Sequence, residues 1–263
     1  MDQGKKRRLS RIFREDGRTV IVPMDHGVTA GSIKGLRNMQ ETVNQLLKGG
    51  ADAFVMHKGV AKRVESGKAG LIVHLSGITK LGLDPDNKVQ VCTVEEALRI
   101  GADAVSVHIN VGAQEEAKML EKLARVAKDC GRYGVPLLAM MYPRGPKIKN
   151  EHDADMIAHV ARLGAELGAD IVKTNYTEDI ETFKDVVQGC LVPVIIAGGP
   201  KANSVQNVLQ MVYDSLKAGG SGLSIGRNVF QHENPALIVK ALTSIVHHNA
   251  SVEETLKVLG ESH

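Results

Sequence analysis

Eight short apolar runs, each separated from the next by a longer connection, constrain this chain more than any other feature of its sequence. The runs fall near residues 19–24 (TVIVPM), 53–57 (AFVMH), 71–75 (LIVHL), 104–109 (AVSVHI), 136–141 (PLLAMM), 169–174 (ADIVKT), 193–197 (PVIIA) and 222–226 (GLSIG). Runs this short and rich in aliphatic side chains read as buried strands. Residues 39–50, 117–131 and 155–168 instead carry apolar side chains three and four apart, as one helix face requires. Strands that alternate with helices predict a parallel sheet, and eight of them are the number that closes an α/β TIM (β/α)8 barrel. A chain of 263 residues suits one such domain spanning residues 1–263, with a short helical extension at its N-terminus.

A repeat supports the barrel. Gly-Ala-Asp occurs at 50–52, 101–103 and 168–170, and Gly-Ser-Gly at 220–222 reads as a degenerate fourth copy. Each stands between a helix and an even-numbered strand, where glycine ends the helix in a left-handed cap. An open doubly wound sheet is the rival architecture, but no G-x-G-x-x-G follows the first run. Thr93 with Glu96 and Ser251 with Glu254 predict capping boxes, and Asn234-Pro235 predicts a helix start. Residues 76–92 form an unusually long connection after the third strand, a candidate lid or substrate wall.

Charge and composition exclude several functions. With 33 basic and 30 acidic residues, the net charge of +3 leaves no general nucleic-acid footprint, and the absence of Trp removes the usual stacking platform. The run Lys5-Lys6-Arg7-Arg8 predicts a solvated face of the N-terminal helix. Cys92, Cys130 and Cys190 lack paired spacing and read as small buried hydrophobes in a reducing compartment. No run has the length to span a bilayer, and no apolar stretch of signal-peptide length follows the N-terminal charges, so a cytoplasmic protein is expected.

In such barrels the chemistry gathers at the carboxyl ends of the strands. Those ends carry Asp25-His26-Gly27, His57, His74, His108, Tyr142, Lys173, Gly198-Gly199 and Gly226-Arg227. Lys173 shares a strand face with Ile171 and Ala169, which is taken as the inward face. An amine among apolar neighbours has a lowered pKa, and a neutral amine condenses with a ketone to a Schiff base. A structural ion pair with Asp25 or Glu178 is the competing account. Asp25 and Tyr142 can move protons at the same mouth, and His26 is a candidate substrate contact. The glycines after strands seven and eight, with Arg227, occupy the usual phosphate position. His57, His74 and His108 raise a divalent metal as a rival, but no local ligand spacing supports one, so no metal is assigned.

The segments VIVPMDHG (20–27), MMYPRG (140–145), GADIVKTNY (168–176), VIIAGGP (194–200) and IGRNVFQ (225–231) together resemble the archaeal-type class I aldolases, a family of DeoC-like and fructose-bisphosphate-aldolase-like barrels. The resemblance runs over nearly the whole chain. It matches Lys173 to the Schiff-base lysine, Asp25 and Tyr142 to the acid/base pair, and Gly198, Gly199, Gly226 and Arg227 to phosphate-binding positions. It implies no cofactor. The implied activity is transfer of a fragment of a keto-sugar phosphate to L-aspartate semialdehyde, on an alternative route to 3-dehydroquinate and the aromatic amino acids. Fructose-bisphosphate cleavage is the alternative within the family, and a non-catalytic sugar-phosphate-binding barrel is a further one. Fructose-bisphosphate members commonly carry a bulky aromatic just before the tyrosine; Met141 there favours the transfer reading. Family members form rings, often decamers, which implies a homo-oligomer.

Overall fold

The computed structural model describes residues 2–199 and 204–260. Its eight barrel strands are β1 (Thr19–Pro23), β2 (Ala53–His57), β3 (Gly70–His74), β4 (Ala104–Val111), β5 (Leu137–Pro143), β6 (Ile171–Thr174), β7 (Val194–Ala197) and β8 (Gly222–Ser224). They close in the order β1-β8-β7-β6-β5-β4-β3-β2, every pair parallel. The expected barrel is therefore present, with β3 and β4 across it from β7 and β8.

The apolar side chains divide into two layers. Ile21, Val55, Ile72, Leu138, Ile171 and Ile195 fill the barrel interior. Val22, Phe54, Val73, Val107, Val172 and Ile196 face outward and pack beneath the helices. Strands buried on both faces need this unbroken aliphatic run, which explains why the runs lack polar alternation.

The Gly-Ala-Asp repeat is a single piece of geometry. Gly50, Gly101 and Gly168 have φ of 92°, 93° and 98°. The next residue in each donates its backbone N–H to the carbonyl five residues earlier: Ala51 to Leu46, Ala102 to Ala97, Ala169 to Gly164. The fourth copy is Gly219-Gly220-Ser221, one residue earlier than the predicted Gly-Ser-Gly. Gly219 has φ 97° and Gly220 donates to Ser215 in the same way. The left-handed residue defines the turn, and the sequence pattern alone had aligned the wrong glycine.

Each aspartate of the repeat also accepts from the start of the preceding strand: Asp52 from the Val20 N–H, Asp103 from Leu71, Asp170 from Leu137. The same carboxylates meet the N-terminal segment. Lys5 reaches Asp170 at 2.7 Å, Arg11 reaches Asp103 at 2.8 Å, and Arg14 reaches Asp52 at 2.6 Å. Ile12, fully buried, drops into the floor of the barrel between these pairs. The expectation for the basic run is corrected accordingly. Lys6 and Arg7 are exposed, but Lys5 and Arg8 are half-buried, and Arg8 donates to the Ala102 carbonyl at 3.0 Å. The run belongs to a plug on the barrel floor.

Boundaries shift where ladders decide them. β4 and β5 pair over seven positions from Val105↔Leu137 to Val111↔Pro143, so Tyr142 lies inside a strand. β6 begins only at Ile171, and Ala169 packs in the outer layer, contrary to its expected inward position. Both capping boxes form, and Asn234 caps a helix with Pro235 in its first turn. The three cysteines are free and buried, and burial pushes Cys92 up to about 11 and Cys130 to about 12. Among the described residues no helix is long and apolar enough to cross a membrane.

Candidate active site

Lys173 stands on the inward face of β6, paired in register with Met140 of β5 and Ile195 of β7. Only 6% of it is exposed. Burial pulls its pKa from 10.5 down to about 8, with the Asp25 carboxylate opposing part of the drop. No ion pair or hydrogen bond holds its ammonium among the described residues. Glu178 approaches His152 instead, at 3.7 Å, and Asp25 lies 3.5 Å from His26 and 3.7 Å from His74. The structural ion pair that competed for Lys173 is absent.

Asp25 follows β1 at the rim. Burial raises its carboxyl, but His74, His26, Lys173 and His57 outweigh that and hold it at about 2. These imidazoles are themselves depressed by burial, His74 to about 3, despite the attraction of Asp25. Lys173 joins them in holding the carboxylate ionised. Amine and carboxylate thus share one proton economy across the mouth.

Tyr142 points inward near the end of β5, its ring 5.0 Å from that of His108. The Arg144 guanidinium lies 5.6 Å from the Tyr142 ring centroid and is forked onto Glu151 at 2.7 and 2.6 Å. Burial raises the phenol well above its ordinary value, with Arg144 partly opposing. It rests protonated, as a hydrogen-bond donor toward the mouth.

Between Lys173 on β6 and Asp25 after β1, the strands β7 and β8 end in close-packed glycines. A Cβ at Gly198 would meet Ile225 at 2.5 Å, and one at Gly226 would meet His26 Cε1 at 2.6 Å and the Pro23 carbonyl at 2.9 Å. Gly199 has φ 60°. Arg227 donates to the Gly199 carbonyl at 3.0 Å and Asn228 to the Gly198 carbonyl at 2.9 Å, lacing the two ends together. Among the described residues Arg227 Nε is a buried donor without a hydrogen bond, and His26 Nδ1, 3.5 Å from Asp25, also lacks one. Pro200 of the glycine motif lies outside the described residues.

The histidines do not form a ligand set, and among the described residues no group of three or more His, Cys, Asp or Glu is placed to hold a metal ion. His74 Nδ1 bonds Ser106 Oγ at 2.8 Å, and His108 Nε2 bonds Asn110 Oδ1 at 2.8 Å. Ser106 and Asn110 escaped the sequence reading, although 104, 106, 108 and 110 alternate along one strand face. Lys122 also escaped it. This buried lysine occupies the apolar face marked by Met119, Leu123, Val126 and Cys130 on the helix Glu116–Tyr133. Met141 does not border the site, contrary to the sequence expectation. Met141 faces outward against Gly164, and Met140 is the residue that borders Lys173. A groove of about 860 Å³ lies at the opposite end of the barrel, beside Phe13, Arg14 and His247, away from these groups.

Comparison with known proteins agrees with this geometry. A family description, DeoC/LacD family aldolase, matches residues 19–232. A Halobacterium salinarum protein named 2-amino-3,7-dideoxy-D-threo-hept-6-ulosonate synthase is 46% identical over 98% of this chain and 97% of its own. An Archaeoglobus fulgidus protein, named as synthase 1 of the same activity, is 45% identical over 98% of this chain and 96% of its own. A Schiff-base-forming fructose-1,6-bisphosphate aldolase, from a structural study of its reaction intermediates, superposes with a TM-score of 0.87 at 34% identity, covering 92% of this chain and 100% of that one. The inward lysine, the closed barrel and these likenesses converge: the chain belongs to the DeoC/LacD family of aldolases.

Proposed function

We propose that this enzyme is a 2-amino-3,7-dideoxy-D-threo-hept-6-ulosonate synthase, transferring a fragment of a keto-sugar phosphate to L-aspartate semialdehyde. The observation that carries the reading is Lys173: a buried amine without an ion pair, its pKa lowered to about 8 at the carboxyl end of β6. The names of the two synthases fit it chemically. A seven-carbon product with an amino acid at one end and a ketone at C6 is the sum of four-carbon aspartate semialdehyde and a three-carbon fragment held through its ketone.

In this mechanism Lys173 attacks the donor ketone and loses water to give a protonated imine, which draws electrons from the adjacent carbon–carbon bond as it breaks. Tyr142 moves the proton at the oxygen of the aldehyde half, and Asp25 moves protons as the imine forms and is hydrolysed. Gly198, Gly199, Gly226, Arg227 and His26 hold the donor phosphate. No cofactor takes part. The same reading places the enzyme in the cytoplasm as a homo-oligomeric ring, a decamer on family resemblance.

The test offers aspartate semialdehyde and glyceraldehyde 3-phosphate as competing acceptors and traps the enzyme with borohydride. The expected result is the seven-carbon amino acid as main product and a mass increase on Lys173. Preference for glyceraldehyde 3-phosphate would return the enzyme to fructose-bisphosphate chemistry. Full activity in Lys173→Ala would end the Schiff-base mechanism.

A further inference from the structure

The connection after β3 is a built wall of the mouth. Ser76–Gly77 and Val89–Gln90 pair antiparallel, so residues 78–88 form a flap with a fixed base. Two inward anchors hold its returning arm. Asn110, at the end of β4, donates to the Asp86 carbonyl at 2.8 Å. Lys122 sends its buried ammonium to the carbonyl of Lys88 and, at 3.1 Å, to that of His108. A lysine buried in a helix face and satisfied by two carbonyls is a costly way to fix a loop, and what it fixes is the backbone of Lys88.

These bonds hold residues 86–88 against the end of β4 that carries His108 and Asn110. The Lys88 ammonium is partly buried and interacts with Asp86, Arg144, Asp25 and Asp84, and it is the largest charge acting on His108. It therefore hangs over the Tyr142–His108 side of the mouth, beside the strands that face β7 and β8 across the barrel. The neighbouring cation, Arg144, is already forked onto Glu151. Among the described residues Lys88 Nζ hydrogen-bonds only the Pro85 carbonyl, at 2.7 Å, and can turn to a ligand.

Tyr142, which serves the oxygen of the aldehyde half in the mechanism above, puts that half of the reaction on this wall. We propose that Lys88 receives the anionic group of the aldehyde acceptor: the carboxylate of aspartate semialdehyde or the phosphate of glyceraldehyde 3-phosphate. This rests on the function proposed above, and it makes Lys88 a specificity residue with Lys122 and Asn110 positioning it.

Lys88→Met tests it, with each acceptor assayed separately beside Lys88→Arg. The expected result is a tenfold or greater loss of kcat/KM for aspartate semialdehyde, carried by KM, with Lys173 still labelled by donor and borohydride. Lys88→Arg recovers most of that loss. A comparable loss confined to the glyceraldehyde 3-phosphate arm would support the residue's role while overturning the acceptor assigned above. A value of kcat/KM within twofold of the unsubstituted enzyme in both arms would overturn the role of Lys88. So would equal loss of donor labelling and acceptor use, which marks a general collapse of the mouth.

Discussion

Lys173 pays for its reactivity in stability. Its pKa of about 8 against 10.5 in the unfolded chain means that below pH 8 the folded protein carries an ammonium its surroundings disfavour. The unfolded chain binds the extra proton between those two values, so stability from this residue rises with pH across that window. Lys173→Met should therefore abolish turnover and, at pH 7, stabilise the fold by about 1–3 kcal/mol, an upper range because Asp25 then loses its cation. Urea unfolding at pH 7 and pH 10.5 measures both parts, and the gain should shrink toward the higher pH. A destabilised variant at pH 7 would mean that this lysine supports the fold and is not strained by it. Such a residue was legible in sequence as an amine in an apolar strand. The hydrogen-bond partners of the histidines were not: Ser106 acquires meaning only when β3 brings His74 beside it, and Asn110 only once β4 is known to continue to Val111.

At the scale of elements, legibility followed the strength of local signals. Aliphatic runs, capping boxes and positive-φ glycines read correctly because each is decided within a few residues of itself. The register of the fourth glycine turn, the inward turn of Met140 and the anchoring of the flap did not, since a neighbouring strand or helix decides them. Lys122 shows the difference. On a helical wheel it interrupts an apolar face, but its purpose appears only when the flap folds back over it. Burial, with Lys88 and Arg125 nearby, brings its pKa to about 7. Lys122→Met removes both a disfavoured charge and two hydrogen bonds of about 1 kcal/mol each, so overall stability at pH 7 should change little. The flap should nonetheless loosen. Amide exchange over residues 84–90 is expected to quicken at least tenfold while strands β5 and β6 keep their protection. Unchanged exchange there would remove Lys122 from the positioning of Lys88.

The whole molecule separates its labour along the barrel axis. At the carboxyl ends sit an amine, a carboxylate, a phenol and a glycine cradle; at the other end, three cations from the N-terminal segment each meet an aspartate of the glycine turns. The repeat therefore has two tasks at one end of the strand–helix units: glycine shapes the turn, and aspartate ties the next strand to its neighbour and to the plug. The plug lies before residue 19, where the family match begins. Arg14→Met tests the division. It breaks the 2.6 Å contact to Asp52 and the bond to the Gly50 carbonyl, leaving a nearly buried carboxylate with the Val20 N–H and His247 as partners. Arg14 is itself partly exposed, so the loss should be about 1–2 kcal/mol, below the figure for a fully buried pair. Because the barrel core separates the two ends, labelling of Lys173 by donor and borohydride at a temperature where the variant is folded should match the unsubstituted enzyme. A variant of normal stability would show the plug to be loosely held, and one that folds yet labels poorly would show that floor and mouth are coupled through the inner layer of side chains.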